Sequence, residues 1–324
     1  MNEQPLVSVL IPCYNHQAFL PDCLESLIRQ TYENIELLIC DDCSPDDSWN
    51  VICGYAPKLE ARFGRVEFLR NETNQGVTKN VNRMLRLAKG DYIKTLASDD
   101  AMAPTAIGEM VSFMEQNPRY GVAVTNGIKV PEQQHYPDFG SDEVIYPQPP
   151  DFSPEGFFLR TARCNPISAP AAMVRRSVYD RFGLYDEDVK VEDYEFWLRI
   201  LKDGDVLFGY LDSRLLYYRI NGGSMTSMEN NPQLARRRKV FHTSEMDTLR
   251  KYRQYFSPAD YSRLVLERIL TERQIAVACG LKEWEQELRL AWKRFDGWQA
   301  LSAGERLRLQ FAGVKQSIKG LLGG

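Results

Sequence analysis

The chain has 324 residues, of which 44% are hydrophobic and 26% are charged, and its formal net charge is −4. A chain of this length can bury a full core, so we expect one large domain with an appendage, or two domains. The small negative charge excludes a strongly basic overall surface, and we predict no nucleic-acid partner.

The cysteine pattern and the apolar runs indicate the cellular compartment in which the chain is located. The first Lys or Arg is Arg29, so no basic segment precedes the apolar run at 6–11, and no run approaches the roughly eighteen apolar residues of a membrane span. The seven cysteines are scattered, and the C-x-x-C of Cys40 and Cys43 has no second pair at zinc-site spacing. We therefore expect reduced thiols and a cytoplasmic chain.

Strands and helices alternate in the first third of the chain. Short aliphatic runs predict strands at 6–11, 35–40, 66–69 and 92–96. Apolar residues at helical spacing predict helices at 21–29, 47–59, 77–88 and 104–116. Such alternation is typical of an α/β fold with a mostly parallel central sheet and helices on both faces.

Four polar loops follow these strands, and in open α/β sheets ligands bind beyond the carboxyl ends of the strands. The rule brings together 12–15, 41–44, 74–76 and 99–100. The acidic pair 41–42 either accepts hydrogen bonds from a base or ribose, or caps the helix that follows.

The adjacent carboxylates of Asp99 and Asp100 repel each other unless a cation or hydrogen-bond donors neutralise them. The glycine fingerprints G-x-G-x-x-G and G-x-x-x-x-G-K-[ST] are absent, so phosphate charge would need another partner. Mn²⁺ or Mg²⁺ suits carboxylate oxygens and substrate phosphates. A solvated turn is the alternative.

The second half of the chain predicts a fifth strand at 120–125 and an irregular excursion at 130–152. Further elements follow: a helix at 153–163, a strand at 171–174, a helix at 193–201, and strands at 206–211 and 215–220. The pattern is helical from 232 onward. We divide the chain into a catalytic domain, 1–230, and a helical C-terminal region, 231–324.

Several ordered motifs resemble those of the family 2 glycosyltransferases with the GT-A fold, over roughly 6–227. They are VSVLIPCYN at 7–15, QTY at 30–32, ELLICDDCS at 36–44, NQG at 74–76 and TLASDDAMAP at 95–104. The resemblance implies that Asp42 contacts the base, and that Asp99, with Asp100 beside it, holds a cation bridging the diphosphate. We expect the following residues also to contact the nucleotide: Pro12, Tyr14, Asn15, Asn74, Gly76, Ser98 and Arg219.

The stretch VEDYEFWLR at 191–199 resembles the E-D motif of the family, in which the aspartate is the catalytic base. Asp193 inherits that role, supported by Glu192. Its position at a helix start predicts that the dipole keeps it ionised at a cost in basicity. A plain N-terminal helix acid is the alternative.

The segment YYRINGGS at 217–224 resembles the one that closes the site, with departures. Many relatives carry His at Asn221 and another Asp at Ala97. Arg219 either pairs with a phosphate oxygen or forms an ion pair at the edge of the core. The three histidines, His16, His135 and His242, fall outside the motifs, and we expect them at the surface.

The resemblance implies a metal-dependent inverting glycosyltransferase of the hexosyltransferase class, using a nucleotide-diphosphate sugar, with a UDP-sugar favoured. The acceptor would be a saccharide, lipid-linked in a bacterial surface-polysaccharide pathway. A basic amphipathic helix at 304–322 either lies on the cytoplasmic face of the inner membrane or packs on the catalytic domain. Two rivals remain: a receiver-like Mg²⁺-binding signalling domain and a non-catalytic nucleotide-sugar-binding scaffold.

Overall fold

The structure, a computed structural model, describes residues 4–220 and 232–310. Asn221 and residues 311–322 of the predicted amphipathic helix lie outside them. The chain divides into two compact units. The first comprises Met1–Phe157, Pro166–Glu187 and Arg199–Asn221, and the second comprises Phe158–Asn165, Asp188–Leu198 and Gly222–Gly324.

The first unit is built on an eight-stranded mixed sheet of order β3-β2-β1-β4-β7-β6-β8-β5. Its strands are β1 (Val7–Cys13), β2 (Ile35–Asp41), β3 (Arg65–Arg70), β4 (Tyr92–Thr95), β5 (Ala101–Met102), β6 (Tyr120–Pro131), β7 (Ala172–Arg175) and β8 (Leu207–Ile220). The first four are mutually parallel, and β7 runs antiparallel to both β4 and β6. The predicted α/β class is confirmed.

Helices flank the sheet strands in sequence and continue to the end of the described chain. They are α1 (Leu20–Ile28), α2 (Ser48–Arg62), α3 (Val77–Leu87), α4 (Ala106–Gln116), α5 (Phe157–Cys164), α6 (Arg176–Phe182), α7 (Glu192–Leu201), α8 (Pro232–Lys251), α9 (Pro258–Ala278) and α10 (Lys282–Arg294). The helical character predicted from 232 onward is confirmed for the described residues. Among those residues, none of the helices combines the length and the apolar character that crossing a bilayer requires.

The centre of the sheet is aliphatic. Every residue of β2 is buried, as are all but Pro12 in β1, which agrees with their continuous apolar sequences. The strand β1 passes through Pro12 to Cys13, whereas the prediction ended it before the proline. Proline is tolerated there because the pairing of β1 with β4 has already ended at Leu10.

Two long strands replace shorter predicted ones. β6 continues to Pro131, and a single β8 replaces the strands predicted at 206–211 and 215–220. The two pair in parallel along their length, with register shifts around Asn126 that absorb the polar break in the β8 sequence. Neither β5 nor α6 was predicted.

The second unit has its own apolar core. Residues of α8 and α9 pack with Tyr194 and Leu198 of α7, and Trp284 and Leu288 of α10 complete the cluster. Because these helices bury apolar side chains on one another, the C-terminal region has independent packing energy.

Candidate functional site

The strand order places a crevice beside β1. The chain moves outward from β1 through β2 to β3, and then returns to the other side of β1 with β4. In an open α/β sheet, this reversal of strand order leaves the carboxyl ends of the strands open for a ligand. The loops that follow β1, β2 and β4 therefore share one edge of the first unit, as predicted.

The loop after β1 is joined to the loop after β2. The Asn15 amide donates to Ser44 Oγ at 3.0 Å, and the His16 amide donates to Ser48 Oγ at 3.1 Å. Asn15 has a φ of 59°, a left-handed conformation that asparagine adopts more readily than most residues. Tyr14 keeps 46% of its surface exposed beside this turn. An exposed aromatic ring on a fixed loop can stack on a planar ligand.

Asp42 lies at the end of β2 inside a ring of donors. Its Oδ1 accepts from the Gln75 amide at 2.7 Å and from Asn71 Nδ2 at 2.8 Å, and its Oδ2 accepts from the Gly76 amide at 2.8 Å. Burial raises the pKa of this carboxyl, but the hydrogen bonds outweigh burial and bring the pKa below its ordinary value. Asp42 therefore stays ionised at neutral pH.

The ring of donors depends on the conformation of the third loop. Gly76 has a φ of 86°, which favours glycine and directs its amide toward Asp42. Asn74 is exposed in the same loop. The structure thus brings the predicted residues of the second and third loops together around one carboxylate.

The adjacent carboxylates after β4 face different surroundings. The Asp99 side chain keeps 17% of its surface exposed, and its Oδ1 lies 3.9 Å from His16 Nδ1. The Asp100 side chain is buried, and its Oδ1 accepts from the Arg219 amide at 2.9 Å. Burial, then the neighbouring Asp99 charge, raises the pKa of Asp100 well above its usual range. Only Asp99 of the two is accessible.

The donor set at this loop fits a divalent cation. Asp99 offers carboxylate oxygens, and His16 Nδ1 and Ser98 Oγ lie within 2.8 Å of each other beside it. Asp100 Oδ2 is buried and has no hydrogen-bond partner among the described residues, so a carboxylate oxygen remains there for a ligand. Carboxylate and hydroxyl oxygens are the groups that Mg²⁺ and Mn²⁺ prefer.

His16 was expected at the surface, outside the motifs, but it is half-buried against Ser98. Its position directly after Tyr14 and Asn15 in the first loop is the sequence signal that could have identified it. His135 has a side chain that is 65% exposed, although its Nδ1 lies 3.0 Å from Asp22 Oδ2. The expectation of a surface position therefore holds for His135.

Arg219 is enclosed by protein. Its side chain has no exposed surface, and it forms an ion pair with Asp22 at 2.7 Å. Its Nε donates to the Asp99 carbonyl at 2.9 Å, and its Nη1 donates to the Gln134 carbonyl at 2.7 Å. Of the two alternatives from sequence, the ion pair is the one formed within the protein.

Asp193, the candidate catalytic residue, lies in the helical unit. It lies in the first turn of α7, where its Oδ1 accepts from the Tyr194 amide at 2.7 Å and its Oδ2 accepts from Asn165 Nδ2 at 3.3 Å. Burial, aided by the Glu245 charge, raises the pKa of Asp193 to about 6 despite these hydrogen bonds. Glu192 precedes it and is half-buried.

The shift in the pKa of Asp193 corrects the expectation from the helix dipole. The dipole predicts a lowered pKa, but removal of the carboxylate from water has the larger effect. A carboxylate with a pKa near 6 is ionised at neutral pH and is more basic than an ordinary aspartate.

The helical unit holds a further cluster, formed by His242, Glu245 and Glu272, whose ligand atoms lie within 4.8 Å of one another. His242 was expected at the surface, but it is only 7% exposed, and burial lowers its pKa to about 3. Arg238 Nη2 pairs with Glu272 Oε1 at 2.7 Å, and Arg268 pairs with Glu245. Two arginines already neutralise two glutamates, so an added cation would be uncompensated.

The family model described as Glycosyl transferase family 2 matches residues 8–183. The chain belongs to glycosyltransferase family 2. The family resemblance inferred from the ordered motifs is confirmed.

A curated relative and a solved structure are similar to this chain. The UDP-Glc:alpha-D-GlcNAc-diphosphoundecaprenol beta-1,3-glucosyltransferase WfaP of Escherichia coli is 31% identical over 227 residues, which cover 68% of this chain and 80% of that protein. The mannosyltransferase PcManGT of Pyrobaculum calidifontis, solved with GDP-Man and Mn²⁺, has a TM-score of 0.59 at 15% identity, covering 99% of this chain and 88% of that one.

A third similar protein is TarS of S. aureus. Its residues 1–349, solved in complex with UDP, have a TM-score of 0.55 at 17% identity, covering 97% of this chain and 88% of that one. The chain spans 54% of a longer TarS structure. These likenesses show the fold, and the predicted GT-A type with a helical C-terminal region is confirmed.

Proposed function

We propose that this glycosyltransferase is an inverting, metal-dependent hexosyltransferase that moves a sugar from a nucleotide-diphosphate sugar to an acceptor hydroxyl. The observation that carries the proposal is the convergence of three loops at the carboxyl ends of β1, β2 and β4, with Asp42 held ionised and Asp99 accessible. That arrangement suits a ligand with a polar base at one end and phosphate charge at the other.

Each half of the donor has a group to bind it. The Asp42 carboxylate accepts hydrogen bonds from the base, because an ionised carboxylate is an acceptor only. The ring of Tyr14 and the backbone around Pro12 and Asn15 line the nucleotide, as do Asn74, Gly76 and Ser98. We favour a UDP-sugar, since a similar structure is named with UDP and the E. coli relative is named for UDP-Glc.

Asp99, with Asp100 behind it, would hold Mn²⁺ or Mg²⁺. When bound, the ion supplies Lewis-acid stabilisation of the departing diphosphate. Asp99 is the better ligand because its side chain is accessible, whereas one oxygen of Asp100 accepts from the Arg219 amide.

Asp193 acts as the catalytic base in this proposal. Its carboxylate takes the proton of the acceptor hydroxyl while that oxygen attacks the anomeric carbon, and the bond from this carbon to the diphosphate oxygen breaks. One displacement inverts the anomeric configuration. The raised pKa supports the role, since a base that titrates near 6 is both ionised and basic at neutral pH. Glu192 supports Asp193 from the same helical turn.

The setting we propose is bacterial surface-polysaccharide synthesis at the cytoplasmic face of the inner membrane, with a lipid-linked saccharide acceptor. The support is the name of the E. coli relative, which acts on a diphosphoundecaprenol substrate. We keep the division into a catalytic domain, 1–230, and a C-terminal region, 231–324, with 304–322 contacting the membrane. Deletion of 304–324 should weaken binding to anionic liposomes, and unchanged binding would remove this membrane role.

A screen of nucleotide sugars with Mn²⁺ or Mg²⁺ tests the donor assignment, with thermal shift and nucleotide release as readouts. We expect one nucleotide sugar to raise the melting temperature in a metal-dependent way, and Asp99→Ala to abolish the shift. The assignment fails if no nucleotide sugar shifts the melting temperature and Asp99→Ala changes nothing. Binding without turnover on any acceptor would favour the scaffold alternative.

A further inference from the structure

One guanidinium joins three segments of the α/β unit. Arg219, near the end of β8, donates from Nε to the Asp99 carbonyl at 2.9 Å and from Nη2 to Asp22 Oδ2 at 2.7 Å. Its Nη1 donates to the carbonyls of Gln134 at 2.7 Å and Glu132 at 3.0 Å. The loop after β4, the start of α1 and the segment after β6 therefore meet on one side chain.

Asp22 extends the junction. The oxygen that pairs with Arg219 lies 3.0 Å from His135 Nδ1, and the other oxygen accepts from the Tyr136 amide at 3.1 Å. The excursion after β6 is thus bound to both members of a buried ion pair. Asp22 and Arg219 are separated by 197 positions in the sequence, so the pair closes a long loop of the fold.

The Arg219 guanidinium is held in a fixed orientation. Its carbon lies 4.9 Å from the ring centroid of Phe19 and 5.1 Å from that of Phe139, so aromatic rings pack against the cation. Nε, Nη1 and Nη2 all donate to protein acceptors, and the side chain has no exposed surface through which a phosphate could reach it. The charge is already compensated by Asp22.

The same residue also holds the loop after β4 through its backbone. The Arg219 amide donates to Asp100 Oδ1, while its side chain binds the carbonyl of Asp99. Two consecutive residues of the acidic loop are therefore fixed by one residue of β8. A metal ligand that is held in place before binding loses less entropy when it binds, which increases the affinity for the metal.

We propose that Arg219 and Asp22 are positioning residues that hold Asp99 in its metal-binding place, and that Arg219 is not a phosphate contact. The inference rests on the proposed metal role of Asp99. It predicts that Mn²⁺ affinity depends on the fork geometry of the guanidinium, since the single ammonium of lysine cannot reach all three segments. Outer partners of metal ligands typically contribute roughly 10- to 100-fold in affinity.

The test is a titration of Mn²⁺ into the full chain without nucleotide, read by the loss of the free-ion electron paramagnetic resonance signal. We expect Arg219→Lys and Asp22→Asn each to weaken Mn²⁺ binding by roughly 10- to 100-fold. The matched control is Arg175→Lys, since Arg175 likewise donates to backbone carbonyls, of Tyr120 at 2.8 Å and Met114 at 2.7 Å. Arg175 pairs with the opposite end of β4, at Tyr92.

The outcomes separate the two proposals. If the unaltered chain binds no Mn²⁺, the metal role of Asp99 is wrong. If it binds Mn²⁺ and both variants keep the affinity within twofold, or if Arg175→Lys loses as much, the positioning role is overturned. Should Arg219→Lys not fold, Asp22→Asn decides alone, because asparagine keeps the shape of Asp22 while it removes the charge and one acceptor oxygen.

Discussion

Asp42 in the α/β unit is buried and Asp193 in the helical unit is half-buried, and their surroundings move their pKa values in opposite directions. Two backbone amides and one side-chain amide donate to Asp42, and its pKa falls. Asp193 has fewer donors and a nearby glutamate, and its pKa rises to about 6. Donors fix a permanent charge, whereas desolvation makes a group that can exchange a proton.

The same contrast separates the two places where a metal could be considered. The glutamates of the His242 cluster are paired with arginines, so their charge is compensated inside the protein. The loop after β4 offers an accessible Asp99 and an Asp100 oxygen without a partner in the described part of the chain. The glutamates of the His242 cluster are paired with arginines, whereas Asp99 keeps part of its carboxylate exposed to solvent.

The largest effect should come from Asp193→Asn, which removes the proposed base and keeps the side-chain shape. We expect transfer to fall roughly 10³-fold, within the range typical of a lost general base, while donor affinity stays within twofold. The measurements are turnover and donor binding by calorimetry. Asp180→Asn, which alters an exposed aspartate of α6, should leave both unchanged. Full transfer in Asp193→Asn would remove the base from the mechanism.

A Mn²⁺ titration should distinguish the loop after β4 from the His242 cluster as the metal-binding site. Asp99→Asn should weaken binding more than the roughly 10- to 100-fold typical of outer-shell changes, because it removes a direct ligand. Glu272→Gln should leave Mn²⁺ affinity unchanged and lower thermal stability, because Arg238 then loses the nearer of its two carboxylate partners. If Glu272→Gln reduces the Mn²⁺ affinity and Asp99→Asn does not, the assignment of the metal to the loop after β4 is wrong.

The sequence could predict those features of the fold and the site that depend on residues close together in the chain. The ends of β1 and β2 lie within two residues of those predicted from their aliphatic runs. The rule about the carboxyl ends of strands brought together loops that lie at one edge of the sheet. β5 is two residues long and has no period to detect. The burial of His242 depends on α9 residues some thirty positions away, and the pKa of Asp193 depends on packing that outweighs the local dipole.

A stability measurement tests whether the hydrogen bonds to Asp42 stabilise the fold. Asp42→Asn has one acceptor oxygen for three donors, so at least one part-buried amide loses its partner, and we expect a loss of about 2 kcal/mol in the free energy of unfolding. Urea unfolding measures it. Glu72→Gln, at an exposed position in the next loop, should change stability by less than about 0.5 kcal/mol. Equal values for the two variants would contradict the role of the donors.

The smallest expected effect is a pH dependence that differs between Asp193, which controls turnover, and Asp42, which controls donor affinity. As pH falls through about 6, Asp193 takes up a proton and ceases to act as a base, so transfer at pH 5 should be roughly tenfold below its plateau. Donor affinity should stay constant over the same interval, because the lowered pKa of Asp42 keeps that carboxylate ionised. Turnover and donor binding measured from pH 7.5 to 5 give the two curves.

The pKa shifts of Asp193 and Asp42 contribute to the free energy of unfolding with opposite signs. The carboxylate of Asp193 costs free energy at neutral pH; this cost declines as pH falls below about 6 and is gone below the unfolded pKa of about 3.9. Asp42 stabilises the fold above its unfolded pKa of about 3.9, and that contribution is lost only as pH falls through its lower folded value. A decline in donor affinity parallel to that of turnover between pH 6 and 5 would mean that one carboxylate controls both steps. The division between a permanently charged Asp42 and a proton-exchanging Asp193 would then fail.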